Sequence, residues 1–363
     1  MEKNMDQDLD EIGPYSLTDL FECLKRVSLN EAKEISDILS VRRLNGLVEV
    51  TENYHMTALY FAVKNNFNGI VKSLLDKGVD VDRGQGCYSN YLGQFIWKET
   101  PLLNALFMTK FEMIEMLLQH GADPLYDSSK ARLVDPMNGQ TFSSGLTHVA
   151  FDVALTRGKY IVDMFLKYVN VKREYGERSH TCLCNAVKYY LEESCSSQSM
   201  EYIRQIIQKG GIICRGDCST IAEGTGSFIS GRICSIITLC LNNIVNVKEE
   251  TLYGFHCSNS KAALHCLKLV CTSDYVHSDS TIYRTLSKYS EKVLEENDLS
   301  PEIENSKQQN IMWIINYTRN PSTLKHICSV VIRQYIPGVC SGKCDRLPIP
   351  NELRKYMNID EFT

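Results

Sequence analysis

Apolar residues recur every three or four positions along most of the chain, a spacing that predicts a succession of short helices. The first two helices are expected in the segment LTDLFECLKRVSLNEAKEISDIL, residues 17–39. Their apolar positions are Leu17, Leu20, Phe21 and Leu24, followed by Ala32, Ile35 and Leu39. Because each helix has one apolar face, the pair must pack against later elements, and we expect it to cap the N-terminal end of a stack.

Two segments then repeat one pattern at an offset of 43 residues: MTALYFAVKNNFNGIVKSLLDKGVDV from Met56 and ETPLLNALFMTKFEMIEMLLQHGADP from Glu99. The shared positions are Thr57, Leu59, Ala62, Val71, Leu74, Leu75 and Gly78, matched by Thr100, Leu102, Ala105, Ile114, Leu117, Leu118 and Gly121. We expect the Thr to cap a first helix and the Ala to let two helices approach closely. The Leu pair would face the next unit, and the Gly would adopt the left-handed turn that ends the second helix.

Weaker copies of the unit follow. The first copy keeps Ala154, Gly158, Val162 and Leu166. The next keeps Thr181, Leu183 and Ala186 and resumes at MEYIRQIIQKGG after a polar insertion. Beyond Gly211 only the helical period remains, for example at Ala263, Leu267, Val270 and Cys271. Residues 213–320 are therefore expected to be degenerate repeats, although an independent helical bundle is an open alternative.

This pattern resembles the ankyrin repeat, whose unit of about 33 residues carries a T-P-L-H-x-A motif. The resemblance implies an all-α fold, a helical solenoid over residues 15–320, with clear repeats at 55–124 and weaker ones at 147–212. The excess over the usual repeat length lies in RGQGCYSNYLGQFIWK, between the two clear repeats. Insertions of this kind project from one face of a repeat array, and that face often binds the partner.

The insertion concentrates aromatic residues and glycines. Its aromatics are Tyr88, Tyr91, Phe95 and Trp97, and its glycines are Gly84, Gly86 and Gly93, which allow a loop to bend. Exposed aromatics are enriched at interface hot spots because they bury a large area at a low cost in rotamer entropy. We therefore expect these four aromatics to bind a substrate protein. The alternative is that the rings fold back over the apolar edge left by the irregular spacing.

The tail of the chain holds a second pattern. After helix-start signals at residues 321–322, Leu324, Cys328 and Ile332 follow one another at a spacing of four, while Arg333 falls off that face. A short amphipathic helix results, and periodicity alone favours a final capping helix of the array. Nineteen residues after the cysteine comes LPIP, residues 347–350, in which two prolines set an extended entry into a helix near residue 351.

Together these two segments resemble a SOCS box, and the whole chain resembles the ankyrin repeat and SOCS box family. The resemblance implies that residues 321–363 form a three-helix SOCS box. It implies that elongin C, with elongin B, is bound by Thr323, Leu324, Cys328 and Ile332. It also implies that a cullin-5 type scaffold, with its RING protein, is selected by Leu347, Pro348, Ile349 and Pro350.

Composition argues against several other classes of function. The net charge is −5 and no long Lys/Arg cluster is interleaved with aromatics, which argues against nucleic acid. Residues 1–14 are acidic and are expected to be a disordered tail without a secretory signal, and no apolar run predicts a membrane span. We expect a cytoplasmic protein, with a nuclear location also open. The 15 cysteines are scattered, mostly at apolar helical positions, and none shows the paired spacing of a zinc site, so neither metal nor cofactor is expected.

Catalytic patterns are not found. The glycine-rich EGTGSFISG, residues 223–231, lacks the lysine of a phosphate-binding loop, and no histidine joins a recognisable triad. We therefore expect a non-enzymatic adaptor, in which the array captures a target and the tail recruits the ligase that ubiquitinates it. The alternatives are an ankyrin scaffold or inhibitor with a vestigial tail, and an enzyme hidden in residues 211–310.

Overall fold

A computed structural model describes residues 14–51, 54–89, 94–126, 133–134, 141–142, 149–175, 181–192, 196–213, 260–271, 283, 286–287, 312–318, 328, 331, 348 and 350–351. The chain divides into two compact units, Met1–Val169 and Asn170–Thr363. The first unit contains helices α1 (Leu17–Lys25), α2 (Leu29–Ile38), α3 (Val41–Leu44), α4 (Ala58–Lys64), α5 (Asn68–Asp76), α6 (Pro101–Phe107), α7 (Phe111–Gln119), α8 (Ala150–Thr156) and α9 (Lys159–Tyr168). Its strands are β1 (Val48–Thr51), β2 (Tyr54–Met56), β3 (Gln85–Ser89), β4 (Gln94–Glu99), β5 (Leu133–Val134) and β6 (Thr141–Phe142). The second unit contains α10 (Cys182–Glu192), α11 (Ser197–Gln208) and α12 (Ser260–Cys271).

The first unit is a stack of helix pairs. The first helices of the pairs contact one another in the order α1, α4, α6 and α8, and the second helices do so in the order α2, α5, α7 and α9. Each pair therefore contacts only its neighbours in the stack, as in a repeat array. The predicted helical solenoid is confirmed for this unit.

The core lies where the repeat pattern predicts it. Ala62 and Ala105 have no exposed surface, which allows the helices to approach closely. The two Leu pairs are at most 4% exposed. Full burial of a Leu side chain contributes about 1.5–3 kcal/mol, so these positions hold successive pairs together.

The threonines cap their helices as expected. The Thr57 hydroxyl accepts a hydrogen bond from the Tyr60 amide at 3.2 Å, and Thr100 does the same for the Leu103 amide at 3.1 Å. The fourth pair, α8–α9, carries Val149 at this position and has no side-chain cap. A missing Thr cap costs a helix about 1 kcal/mol, which agrees with the weaker repeat pattern there.

Residues with a left-handed backbone conformation end the second helix of a pair and also form the turn between its two helices. Gly78 and Gly121 follow α5 and α7 with φ of 82° and 89°, as predicted for the repeat glycines. The turn inside each pair needs another such residue, and here the chain uses Val27, Asn66 and Thr109 before the glycine Gly158. Branched side chains rarely adopt this conformation, so the backbone is strained at Val27 and Thr109.

The fold is mostly helical, but the first unit also contains a four-stranded antiparallel sheet in the order β1-β2-β3-β4. The insertion that was expected to form a bending loop forms the hairpin β3–β4 instead. Gly84 at its base is buried, and a Cβ there would overlap the carbonyl oxygen of Glu99, so this glycine permits close backbone approach rather than bending. A separate hairpin joins β5 and β6.

In the second unit α10 packs on α11, and α11 packs on α12. Thr181 donates to the Ile212 carbonyl at 2.5 Å, and Gly210 follows α11 with φ of 82°, as expected for a further copy of the repeat. The predicted apolar face of α12 is buried at Ala263, Leu267, Val270 and Cys271. Residues 312–318 are also helical. Most of 213–320 lies outside the described residues, so its assignment to degenerate repeats stays a prediction.

Candidate functional site

The hairpin β3–β4 carries the aromatic residues predicted to bind a substrate. Its register pairs Tyr88 with Phe95 and Gly86 with Trp97. Opposite and alternate positions of a ladder share a face, so positions 88, 95 and 97 belong to the same face of the hairpin. Tyr91 lies outside the described residues, in the connection between the strands.

The hairpin is attached to the helices at its base. Thr57, at the start of α4, donates its hydroxyl to the Arg83 carbonyl at 2.9 Å and its amide to the Gly84 carbonyl at 3.1 Å. The same threonine caps α4, so one residue fixes the helix start and the entry into β3. Glu99 then ends β4 directly before Thr100, the cap of α6.

A polar network at this base joins two consecutive repeats. The buried Tyr60 hydroxyl of α4 donates to Glu99 Oε2 at 2.5 Å and accepts from Asn104 Nδ2 of α6 at 3.1 Å. Asn104 Nδ2 also lies 3.5 Å from Glu99 Oε1. Burial, and then the hydrogen bond to the Glu99 carboxylate, raises the pKa of the Tyr60 hydroxyl, which therefore remains a donor.

The sequence pattern did not identify this network. Tyr60 occupies an apolar position within the helix ALYFAVK, and its hydroxyl partner comes from a different repeat. One signal was available: Asn104 is a polar residue in the otherwise apolar helix PLLNALF, and buried polar groups need partners. The network fixes the end of β4 against α4 and α6, the first helices of the two repeats.

Basic side chains of two repeats, α4–α5 and α6–α7, bind the preceding helix pair. Lys77 donates to the carbonyls of Ser36, Asp37 and Leu39, at 2.5, 2.7 and 3.0 Å. These carbonyls belong to the C-terminal end of α2, where backbone acceptors lack helical partners. All three ammonium protons are thus used, and the two repeats are joined without a carboxylate.

Two further residues also contact the preceding repeat, Lys110 through backbone carbonyls and His120 through a side-chain carboxylate. Lys110 donates to the carbonyls of Val63 and Lys64 at the end of α4, at 2.8 and 3.1 Å, and burial lowers its pKa. His120 occupies the repeat position of Lys77, and its Nε2 lies 3.3 Å from the carboxylate of Asp76 at the end of α5. The histidine before the repeat glycine thus contacts the preceding repeat, and nothing in its geometry indicates catalysis.

The tail positions are described only in part. Cys328 is helical and half-buried, as the amphipathic pattern predicts for its position, and Val331 is 44% exposed. Pro348 and Pro350 are exposed, and Asn351 is helical, in agreement with the expected helix start after the prolines. Thr323, Leu324, Ile332, Leu347 and Ile349 lie outside the described residues.

The described part of the chain contains no group of three His, Cys, Asp or Glu residues able to hold a metal ion. The described cysteines are free thiols, most of them buried, for example Cys23, Cys184 and Cys266. Buried thiols of this kind act as small apolar side chains. Among the described helices, none has the length and apolar character needed to cross a membrane.

Comparison with known proteins supports the assignment of both the repeat segment and the C-terminal segment. Residues 24–128 match the family model of ankyrin repeats, in three copies, and residues 320–358 match that of the SOCS box. No curated protein matches the chain. A similar solved structure is the crystal structure of EF0377, an ankyrin repeat protein, which is 20% identical over 54% of this chain and 83% of that chain, with a TM-score of 0.35.

Residues 24–128 of the chain are therefore ankyrin repeats. Its ankyrin repeats are followed by a SOCS box, which is the order of the ankyrin repeat and SOCS box family and confirms the resemblance found in the sequence. Both segments are interaction domains rather than catalytic ones. Their combination suggests a substrate adaptor for elongin B/C–cullin E3 ubiquitin ligases.

Proposed function

We propose that this chain is the substrate-recognition adaptor of an elongin B/C cullin-RING ligase of the cullin-5 type, and that it has no catalytic activity of its own. The observation that carries the proposal is the presence of ankyrin repeats and a SOCS box in one chain. The array binds the target and the tail binds the ligase, so ubiquitin transfer is promoted by a high effective concentration of the target. Such an adaptor acts in the cytoplasm or the nucleus.

The proposed domains follow the sequence prediction: a tail at 1–14, repeats at 15–320 and a SOCS box at 321–363. The first unit supports the repeat assignment up to α9 because its helix pairs stack in order. Elongin B and C would be bound by Thr323, Leu324, Cys328 and Ile332. The half-buried position of Cys328 in a helix supports this assignment, since its thiol retains surface that a partner can cover.

The first experiment tests the elongin site. Leu324→Ala should reduce the affinity of the full chain for purified elongin B/C well over tenfold, because truncating a buried Leu costs about 2–5 kcal/mol. Arg333→Ala is the matched control, because position 333 lies off the apolar face of the predicted helix. Affinity is measured by calorimetry, with circular dichroism to show that the repeats stay folded. Unchanged affinity of Leu324→Ala would contradict the assignment. Absence of elongin binding by the parent chain would favour the scaffold alternative.

The cullin site is proposed at Leu347, Pro348, Ile349 and Pro350. Exposed prolines at 348 and 350 support it, because a segment that is already extended loses less entropy when it enters a partner's groove. The double variant Leu347→Ala, Pro348→Ala should weaken capture of a cullin-5 scaffold and leave elongin affinity nearly intact, because distant sites are additive. Parallel loss of both partners would mean that the two segments form one cooperative unit.

The substrate surface is proposed on the hairpin, at Tyr88, Tyr91, Phe95 and Trp97. The shared face of positions 88, 95 and 97, and the anchoring of β4 through Glu99, support a preformed recognition hairpin. The double variant Tyr91→Ala, Trp97→Ala should lose a target in comparative pull-downs without losing thermal stability. Lower stability with the same recovered proteins would show instead that the rings cover the array.

A further inference from the structure

The turns inside two neighbouring helix pairs form an apolar surface, which we call the turn patch. It consists of Phe107, Met108 and Phe111 at the α6–α7 turn and Tyr160 at the start of α9. Their exposed fractions are 41%, 57%, 45% and 63%. The rings of Phe111 and Tyr160 meet edge to face with their centroids 5.6 Å apart, so the patch is continuous across the two repeats.

The fold does not require apolar side chains at these positions. At the offset of 43 residues, the α4–α5 turn of the preceding repeat carries polar residues where the patch has Phe107, Met108 and Phe111. These polar residues are Lys64, Asn65 and Asn68. Both turns have the same left-handed backbone, at Asn66 and Thr109. The apolar side chains of the second turn therefore need an explanation other than folding.

The patch is as large as the largest apolar patch of a typical monomer. A large side chain presents roughly 200 Å². The four exposed fractions thus leave on the order of 400 Å² of mostly apolar surface. The largest such patch on a typical monomer is about 300–600 Å² and is often functional.

The rim of the patch is basic. Lys64, Arg157 and Lys159 are exposed, and in the described part of the chain no carboxylate pairs with them. The Lys110 ammonium binds backbone carbonyls at the end of α4, which places it beside the Lys64 backbone. Lys159 directly precedes Tyr160, and Arg157 lies three residues before it. In the described part of the chain this rim has one exposed carboxylate, that of Glu112 beside Phe111. Glu115 on α7 and Asp163 on α9 are half-buried, so the exposed charge is mainly basic.

We propose that the turn patch docks an acidic amphipathic segment of a partner protein. The apolar face of that segment covers the aromatic side chains, and its carboxylates pair with Lys64, Arg157 and Lys159. A second copy of this chain fits less well, because two basic rims would then face each other. This surface lies at the helical turns, apart from the recognition hairpin, and the proposal does not depend on the ligase function.

The test uses the full chain and a defined probe, a fluorescein-labelled helical peptide with leucines on one face and glutamates on both flanks. A repeat-exchange variant, Phe107→Lys, Met108→Asn, Phe111→Asn, places the residues of the preceding turn into the patch. Its affinity for the peptide should fall at least about tenfold by fluorescence anisotropy, since hot-spot aromatics dominate binding. Ile38→Asn is the matched control: Ile38 is 54% exposed but lies on α2, two pairs earlier in the stack.

The second part of the experiment varies the charge of the peptide. The same peptide with every glutamate replaced by lysine should bind much more weakly, and added salt should weaken binding of the acidic peptide. The proposal is overturned if both peptides bind equally, or if the repeat-exchange variant binds like the parent while its circular dichroism is unchanged. It is also overturned if the parent self-associates in sedimentation experiments and the repeat-exchange variant does not, because a second copy would then occupy the patch.

Discussion

The polar network between α4, β4 and α6 allows a sharp test, because Tyr60→Phe removes one oxygen and leaves the packing intact. The variant loses a hydrogen bond to the carboxylate of Glu99, a class that contributes about 1.5–3 kcal/mol. Asn104 Nδ2 also loses its better acceptor and retains only the 3.5 Å contact with Glu99. Since Glu99 is partly exposed and water can replace some of the loss, we expect the free energy of unfolding to fall by about 2–4 kcal/mol.

The assay is chemical denaturation of the full chain, followed by circular dichroism, with Tyr202→Phe as control. Tyr202 is also buried, but its hydroxyl accepts from a neutral amide, that of Gln198, at 2.6 Å. That variant should lose only about 1 kcal/mol. A double-mutant cycle with Glu99→Gln then isolates the contribution of the carboxylate. The reasoning is refuted if the two Phe variants lose the same stability, or if the cycle shows no coupling between Tyr60 and Glu99.

Three further outcomes are expected in the same assay. Because the pKa of Tyr60 is raised, the unfolded chain loses this proton above about pH 10 while the folded protein keeps it. The stability that Tyr60 provides should therefore decline above that pH, and the gap between the parent and Tyr60→Phe should narrow; a constant gap would contradict the raised pKa. Thr109→Gly should raise the free energy of unfolding by about 0.5–1 kcal/mol by relieving the left-handed strain, whereas a loss would show that Thr109 makes a compensating contact. Gly84→Ala should lower the free energy of unfolding by about 1–3 kcal/mol, because the added Cβ overlaps the Glu99 carbonyl. The control Gly69→Ala, in open space on α5, should raise it by up to about 1 kcal/mol. Equal effects of the two substitutions would contradict the role assigned to Gly84.

The helices, their caps and the repeat glycines could be predicted from the sequence because each depends on local spacing. Thr57, Thr100, Gly78 and Gly121 act within a few residues of their own helix. The hairpin β3–β4 could not be predicted from spacing, since its glycines are typical of loops and its pairing depends on the neighbouring strand β2.

The contacts between repeats could not be predicted from the sequence either. Lys77 is an ordinary surface residue in its own helix, and its role depends on carbonyls of α2, some 40 residues earlier in the chain. The proposed elongin and cullin residues were found in the opposite way, from a sequence motif, because such motifs are set by a partner rather than by the chain's own packing. Where their positions are described, Cys328 is helical and Pro348 and Pro350 are exposed, and their binding roles stay a prediction.

The cations that join two of the helix pairs to the pair before them have an evolutionary consequence. Lys77 and Lys110 link consecutive pairs and use only backbone acceptors for this. Beyond its base, which Thr57, Tyr60 and Gly84 fix, the hairpin can then change its length or its aromatics without altering these links. Backbone carbonyls are present whatever the side chain, so mutation of the preceding helix rarely removes them. The proposed substrate surface can thereby change within one hairpin while the links between the helix pairs are kept.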